Sequence, residues 1–250
     1  LDKLIPKFIS NVRRSVLVTT MPDLGNLTIK RPPKSTTLVY CFHSLSSTHT
    51  FYRNGAFDHY DHFMLAGEHH LTELTRHFGN IGKVVGGLHR VGYGRLDRIA
   101  RDHKAYKKQW VDETILIAPS WGKDNLLELV GIPIIESIRK PGRRIIVRPH
   151  PCFFLPIYPI GKRIVAEIEM AFANDSNVVI EKSTMNEDSF HEADVMISDW
   201  SGAALEYSLG TERPVIFIDV PRKILNPFWE KLDIIPFEQR LRHQIGQVVG

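Results

Sequence analysis

The sequence predicts an α/β protein built on parallel sheets with helices packed against them, divided into two halves. Three observations predict it. Short β-branched runs recur along the chain, each followed by a loop and a helical pattern. The runs are continuously apolar rather than alternating, as strands buried on both faces are. Near residues 109–113 a polar helical stretch (DHKAYKKQWVDE) gives way to the apolar run ILIA, which places a boundary between a first domain, 1–110, and a second, 111–250.

In the first half the strand-like runs are residues 15–20 (SVLVTT), 37–42 (TLVYCF), 63–66 and 83–86. Residues 68–78 and 95–108 are charged and amphipathic, as surface helices are. The second half supplies runs at 115–118, 144–147, 177–180, 194–197 and 215–219. Between them, residues 162–172 place Ile164, Val165, Ile168 and Phe172 at helical spacing, a core stripe. Five strands suffice for a complete doubly wound sheet. The four of the first half look short, so that domain is expected to be incomplete. The chain begins without methionine and ends in a stretch that reads as helical, which suggests a fragment of a longer protein.

Composition narrows the function. Hydrophobic content of 43% and charged content of 24% are those of a globular protein. A chain of 250 residues has enough apolar surface to fold without a disulfide or metal staple. Cys41 and Cys152 make no disulfide framework and suit a reducing compartment. No run is long and apolar enough for a membrane span, and the interleaved basic and apolar residues before Val18 do not order as a signal peptide. The net charge of +4 gives mild attraction for phosphates, nucleotides or an anionic membrane surface. No nucleic-acid-binding module is recognisable, so nucleic acid is not an expected partner. HExxH, CxxC, EF-hand, GxSxG and Walker A patterns are absent, and the cluster Asp58, His59, Asp61, His62, His69, His70 has no metal-ligand spacing. No metal site and no cofactor are expected.

Four segments carry candidate chemistry. In ADVMISDWSGAALEYSLGTERPVIFID an apolar strand ends at Ser198, a helix opens at about Ser201, Gly210 stops it, and another strand follows. Ser201 is a natural N-cap and Gly202 admits a ligand close to the backbone. Free N–H groups and the dipole at such a helix start suit a phosphate or pyrophosphate. Glu206, one and a half turns in, is placed for a ribose hydroxyl or for the surface. Arg148-Pro149-His150-Pro151 follows the strand RIIV, and its prolines hold His150 extended at a strand's carboxyl end. Arg148 is a candidate bidentate partner for an oxyanion. Ala118-Pro119-Ser120-Trp121-Gly122-Lys123 also follows a strand, with Ser120 and Lys123 suited to a phosphate. His43, after the strand TLVYCF, suits a general base at the mouth of an interdomain cleft.

Taken in order, these pieces resemble the CDP-glycerol glycerophosphotransferase family of teichoic-acid and capsule polymerases. Residues 115–121 resemble its "YAPTW" segment, Arg148 to Pro151 its histidine-proline motif, and ADVMISDWSG with RPVIFID its "ADVLITDYSS…RPIIFY" stretch. GYGRLD resembles "GYPRND", and Cys41 to Ser44 stand where the family has tryptophan-histidine-glycine. The match runs from about residue 37 to 220. The resemblance implies a GT-B fold of two Rossmann-like domains, and transfer of glycerol phosphate from CDP-glycerol to a polyol-phosphate or glycan acceptor, with CMP leaving. It makes His43 the base on the acceptor hydroxyl and places His150 at the donor phosphate. Ser120, Ser201 and Gly202 would hold the pyrophosphate, Asp199 would shape their turn, and Glu206 would take the ribose. Such polymerases work at the cytoplasmic face of the membrane, as peripheral proteins.

Three positions depart from the pattern. Ser44 replaces a glycine and no lysine follows in LSSTHT, Gly122 with Lys123 replaces an arginine, and Ser201-Gly202 replaces Ser-Ser. Two other readings share these residues: a sugar-nucleotide glycosyltransferase or UDP-N-acetylglucosamine 2-epimerase-like enzyme, and a non-catalytic nucleotide-binding fragment.

Overall fold

A computed structural model describes residues 4–27, 29–110, 112–183 and 187–250. The chain forms two compact units, Leu1–Tyr93 with Lys223–Phe237, and Gly94–Arg222 with Glu238–Gly250. The sequence-based boundary at residue 110 lies beyond the first helix of the second unit, and Val111 beside it lies outside the described residues.

The first unit holds helix α1 (Leu4–Asn11), four parallel strands and helix α2 (Glu68–Asn80). The strands are β1 (Val16–Thr19), β2 (Thr37–Cys41), β3 (His62–Leu65) and β4 (Gly87–Arg90), in that order across the sheet. Burial alternates along β2 and β3: Leu38, Tyr40, Phe63 and Leu65 are buried, whereas Val39, Cys41, His62 and Met64 are half-buried. Tyr40 is ringed edge-on by Phe42, Phe57 and Tyr60 at centroid distances of 4.8, 5.0 and 5.1 Å. Such pairs add roughly 0.5–1.5 kcal/mol each beyond area burial. The fourth strand lies at 87–90, not at the 83–86 read from the valine pair. Its register is set by His62 pairing with Gly87, while Val84 points into solvent and Lys83 Nζ donates to the carbonyls of Asp58 and Tyr60.

Residues 223–237 belong to the first unit because hydrogen bonds tie them to the loop after β2. Leu225 N–H donates to Thr50 O, Phe237 N–H to Ser47 Oγ, and a His49 ring nitrogen meets Ile234 O at 3.1 Å. That loop, Leu45 to Thr50, is buried throughout. It is therefore structural, and a solvated lysine has no place in it.

The second unit carries six parallel strands: β5 (Thr114–Ile117), β6 (Arg144–Val147), β7 (Val178–Ile180), β8 (Val195–Ser198), β9 (Val215–Ile218) and β10 (Gly246–Val249). Their spatial order is β10-β9-β8-β5-β6-β7. Counted from β5, this is the 3-2-1-4-5-6 order of a dinucleotide-binding sheet, with its switch point between β5 and β8. Helices α3 (Gly94–Ala105), α4 (Leu126–Ile138), α5 (Gly161–Ala171), α6 (Asp188–Glu192), α7 (Gly202–Thr211) and α8 (Phe237–Ile245) join the strands. Two cores lie on the two faces of the sheet. Ile115, Ile117, Ile145 and Val147 meet α4 and α5 on one, and Leu116, Ile146, Met196 and Phe217 meet α7 on the other.

The chain ends in strand, not helix, because β10 pairs with β9 over Gly246 to Val249. Sequence periodicity missed α4 because Gly131 and Pro133 interrupt it; the helix bends there, with Val130 at φ −140°. Helix α7 runs one residue past Gly210 and stops at Glu212, whose φ of 58° is left-handed. Gly210 instead admits α3. A Cβ there would stand 2.5 Å from Ile99 Cγ2 and 3.0 Å from its Cβ, atoms with no freedom to swing away. Gly210→Ala is expected to destabilise the protein by roughly 1–3 kcal/mol through overpacking, read as a lower urea midpoint. An unchanged midpoint would show that α3 and α7 are not in tight contact. Among the described residues no helix is long and apolar enough to cross a membrane.

Candidate functional site

Three loops gather at the carboxyl edge of the second sheet, after β5, β6 and β8. Their backbone is fixed by hydrogen bonds that begin at the strand ends. Ser198 Oγ donates to Ala118 O at 2.6 Å, Ala118 N–H to Ile197 O at 3.0 Å, and Arg148 N–H to Ile117 O at 2.8 Å.

Asp199 holds the switch point together. It is fully buried, and its two carboxylate oxygens accept the backbone N–H of Ser120 at 2.6 Å and of Leu126 at 2.9 Å. Leu126 opens α4, so the carboxylate also sits at the positive end of that helix. Asn125, absent from the sequence-based candidates, does as much for the loop after β5. Its Oδ1 caps α4 by accepting from Leu127 and Glu128, and its Nδ2 donates to Gly122 O and Tyr158 Oη. An asparagine directly before an apolar helix is a cap signal, but the broken periodicity of α4 concealed it.

Helix α7 also opens at this edge, directly after β8. Ser201 is its N-cap and accepts from Ala203 N–H at 3.3 Å. Gly202 follows as the first helical residue, whose N–H has no intrahelical acceptor. Across the switch point, Ser120 is 4% exposed and its Oγ has no hydrogen-bond partner in the protein. An orphaned buried hydroxyl costs roughly 1–3 kcal/mol unless something satisfies it.

His150 is extended, with φ −60° and ψ 144°, and caps the short 3-10 turn Pro151–Phe154. Its Nδ1 accepts from Cys152 N–H at 3.2 Å, which assigns the proton of the neutral ring to Nε2. The ring stacks on Trp121 at 5.9 Å, joining the loops after β5 and β6. Lys123 is exposed and 3.8 Å from the Asp124 carboxylate, in a turn with left-handed backbone at Gly122 and Asp124. Arg148 is buried, and its Nη1 donates to Glu181 and to Ser189 Oγ, both at 2.9 Å. Glu206 is buried too, accepting Arg95 Nε at 2.9 Å, and Arg95 with Arg98 also pairs with Glu187. Glu206 is thus no surface carboxylate.

A second residue that sequence reasoning missed is Arg242. It is 4% exposed, and its guanidinium carbon lies 3.8 Å from the centre of the Trp200 ring. Trp200 Nε1 donates to Val220 O, so the aromatic after Asp199 anchors the turn to the end of β9. Nothing local in the sequence marks an arginine 42 residues beyond Trp200 as part of this turn. His43 belongs to the first unit. It is exposed on the loop after β2, and its carbonyl accepts from Tyr93 Oη at 2.9 Å.

No family model matches this sequence, and no curated protein matches it. Solved structures do match. A histidine-to-asparagine variant of the wall teichoic acid polymerase TagF, soaked with CDPG for 30 minutes, superposes with a TM-score of 0.54 at 14% identity. The alignment covers 92% of this chain and 64% of that one. The same variant, in a structure described without CDPG, gives 0.51 at 10% identity, and a histidine-to-alanine variant 0.51 at 13%, each over 92% of this chain and 65% of the polymerase. The chain spans less than two thirds of the length of these polymerase chains. At such identities the likeness shows the fold alone: an α/β, GT-B-like protein with two Rossmann-like parallel sheets.

Proposed function

We propose that this chain carries the donor site of a transferase that moves glycerol phosphate, or a related polyol phosphate, from a CDP-linked donor to a wall or capsule polymer. The observation that carries the reading is the buried, unpartnered Ser120 hydroxyl on the loop after β5, with the start of α7 on the loop after β8, the two strands that flank the switch point. Both flank the crevice where sheets of this order take nucleotides. The resemblance of the same three loops to the glycerophosphotransferase motifs, and the TagF fold, support the donor class.

In this reading the Gly202 N–H and the hydroxyls of Ser201 and Ser120 hold the pyrophosphate, and Lys123 adds charge from the loop above. Asp199 acts on the donor only through the backbone it fixes. His150 presents Nε2–H to a phosphate oxygen, the tautomer that its bond to Cys152 selects. Arg148, bound to Glu181 and Ser189, steadies the His150 loop, and Glu206 with Arg95 faces the ribose. The acceptor hydroxyl attacks the phosphorus that bears glycerol. A new P–O bond forms to the acceptor, the bridging P–O bond breaks, CMP leaves, and the hydroxyl proton passes to a base, the role that the family resemblance gives His43.

The test separates binding from folding. Ser120 Oγ makes no bond within the protein, so Ser120→Ala is expected to leave the melting temperature unchanged or raise it. The same change is expected to weaken CDP-glycerol binding about 10- to 100-fold in calorimetric titration, the loss of one hydrogen bond to a charged group. CMP and CDP are expected to bind, and UDP-N-acetylglucosamine not. Tight uridine-nucleotide binding with no cytidine response would overturn the donor class in favour of a sugar-nucleotide enzyme.

A further inference from the structure

On the half-buried face of the first sheet, two imidazoles meet edge to edge. His62 Nδ1 lies 3.1 Å from His89 Nε2, and the rings are near parallel at 23°. The two residues sit diagonally on neighbouring strands, His62 opposite Gly87 and His89 opposite Met64, so their side chains share one face. Room for both rings is made by two glycines. A Cβ at Gly86 would stand 2.5 Å from His62 Nε2, and one at Gly87 would stand 2.5 Å from His89 Nε2 and 3.2 Å from His62 Nδ1.

We propose that His62 and His89 form a two-imidazole site for a borderline divalent transition-metal ion, Cu2+ before Ni2+ or Zn2+. Two nitrogens bound to one such ion at about 2.0–2.1 Å stand about 3 Å apart, the separation found here before any ion enters. In the metal-free pair one ring donates its N–H across that gap; on binding, that ring takes its other tautomer, with the proton on its far nitrogen, and both facing nitrogens bind the ion as neutral ligands. Imidazole pairs favour copper by the Irving–Williams order. Among the described residues no third histidine, cysteine or carboxylate converges on the pair, so water fills the remaining positions and the ion stays exchangeable. Met64, opposite His89 on the same face, is the nearest softer donor by register. The bound ion would clasp β3 to β4 at the sheet's edge.

The test is a titration of the full chain with CuCl2, followed by calorimetry and by nitrogen hyperfine splitting in the copper electron paramagnetic resonance spectrum. One site with two-nitrogen coupling is expected, together with a rise in melting temperature on the order of 5 °C at a hundredfold excess over Kd. His62→Ala and His89→Ala are each expected to weaken that site tenfold or more. Gly87→Ala, which keeps both histidines but pushes the His89 ring aside, is expected to do the same. His243→Ala, an exposed histidine of the second unit, is expected to leave it intact. The twelve histidines of the chain allow weak background binding, so the histidine variants decide. Copper affinity and spectrum unchanged in the His62→Ala/His89→Ala double variant would overturn the proposal, as would an unchanged Gly87→Ala site.

Discussion

Asp199→Ala is expected to destabilise the protein by about 3–5 kcal/mol and to abolish nucleotide binding together with it. The carboxylate is fully buried and is the acceptor for the N–H groups of Ser120 and Leu126. Its removal leaves two buried donors unsatisfied, each costing roughly 1–3 kcal/mol, and deprives α4 of a negative charge at its start. Asp199→Asn keeps the shape, but its amide presents N–H to one of the two N–H groups and so restores only part of the loss. Urea denaturation of the three proteins checks the order wild type, Asn, Ala. A cost below about 1 kcal/mol for alanine would mean that the loop after β5 is held by Asn125 alone.

Glu73→Ala is expected to cost a comparable 3–5 kcal/mol in the first unit, the range for breaking a buried charged network. Glu73 is 1% exposed; Thr48 donates both its N–H and its Oγ1–H to Oε2, at 2.6 and 2.7 Å, and the His49 ring stands 3.6 Å away. His49 in turn meets Ile234 O, so the network fastens the returning segment 223–237. Burial pushes the Glu73 carboxyl up, but the His49 contact and the two Thr48 bonds overcome it and hold the group below the usual carboxylate range. A folded-state value below the unfolded one contributes stability above the ordinary glutamate value of about 4.3, and that contribution is lost as pH falls through the lower folded value. Acid titration of Glu73→Gln should therefore lose less stability below about pH 4 than wild type does. Parallel acid curves would show that Glu73 is not held below the usual carboxylate range.

Five of the six strands of the second sheet were legible in the sequence because they are short apolar runs bounded by turn residues, whereas β10 read as helix. The loops after β5, β6 and β8 were legible because their proline, glycine and serine residues mark strand ends. What escaped was non-local or locally contradictory. Helix α4 carries Gly131 and Pro133, which defeat periodicity, although Asn125 caps it. Strand β4 escaped because Gly86 and Gly87, poor strand formers, are selected by the histidine rings beside them rather than by propensity. The Arg242–Trp200 stack joins residues far apart in sequence, and the return of 223–237 to the first unit rests on backbone carbonyls that no sequence pattern displays. Arg148 was singled out by residue type and Glu206 by its position in the helix; their partners in the fold, Glu181 and Arg95, are non-local and were not legible.

The proposed donor site puts a cytidine diphosphate group between Ser120 and the start of α7. Amide resonances followed during titration with CDP test it most directly. The Ser120, Gly202 and Ala203 amides are expected to shift together, saturating at one Kd, while amides at the opposite edge of the same sheet, such as Arg144 and Val178, stay in place. Binding that instead moved the amides around Arg139 and Asn177, where a separate groove opens beside Phe172, and left Gly202 untouched would contradict it.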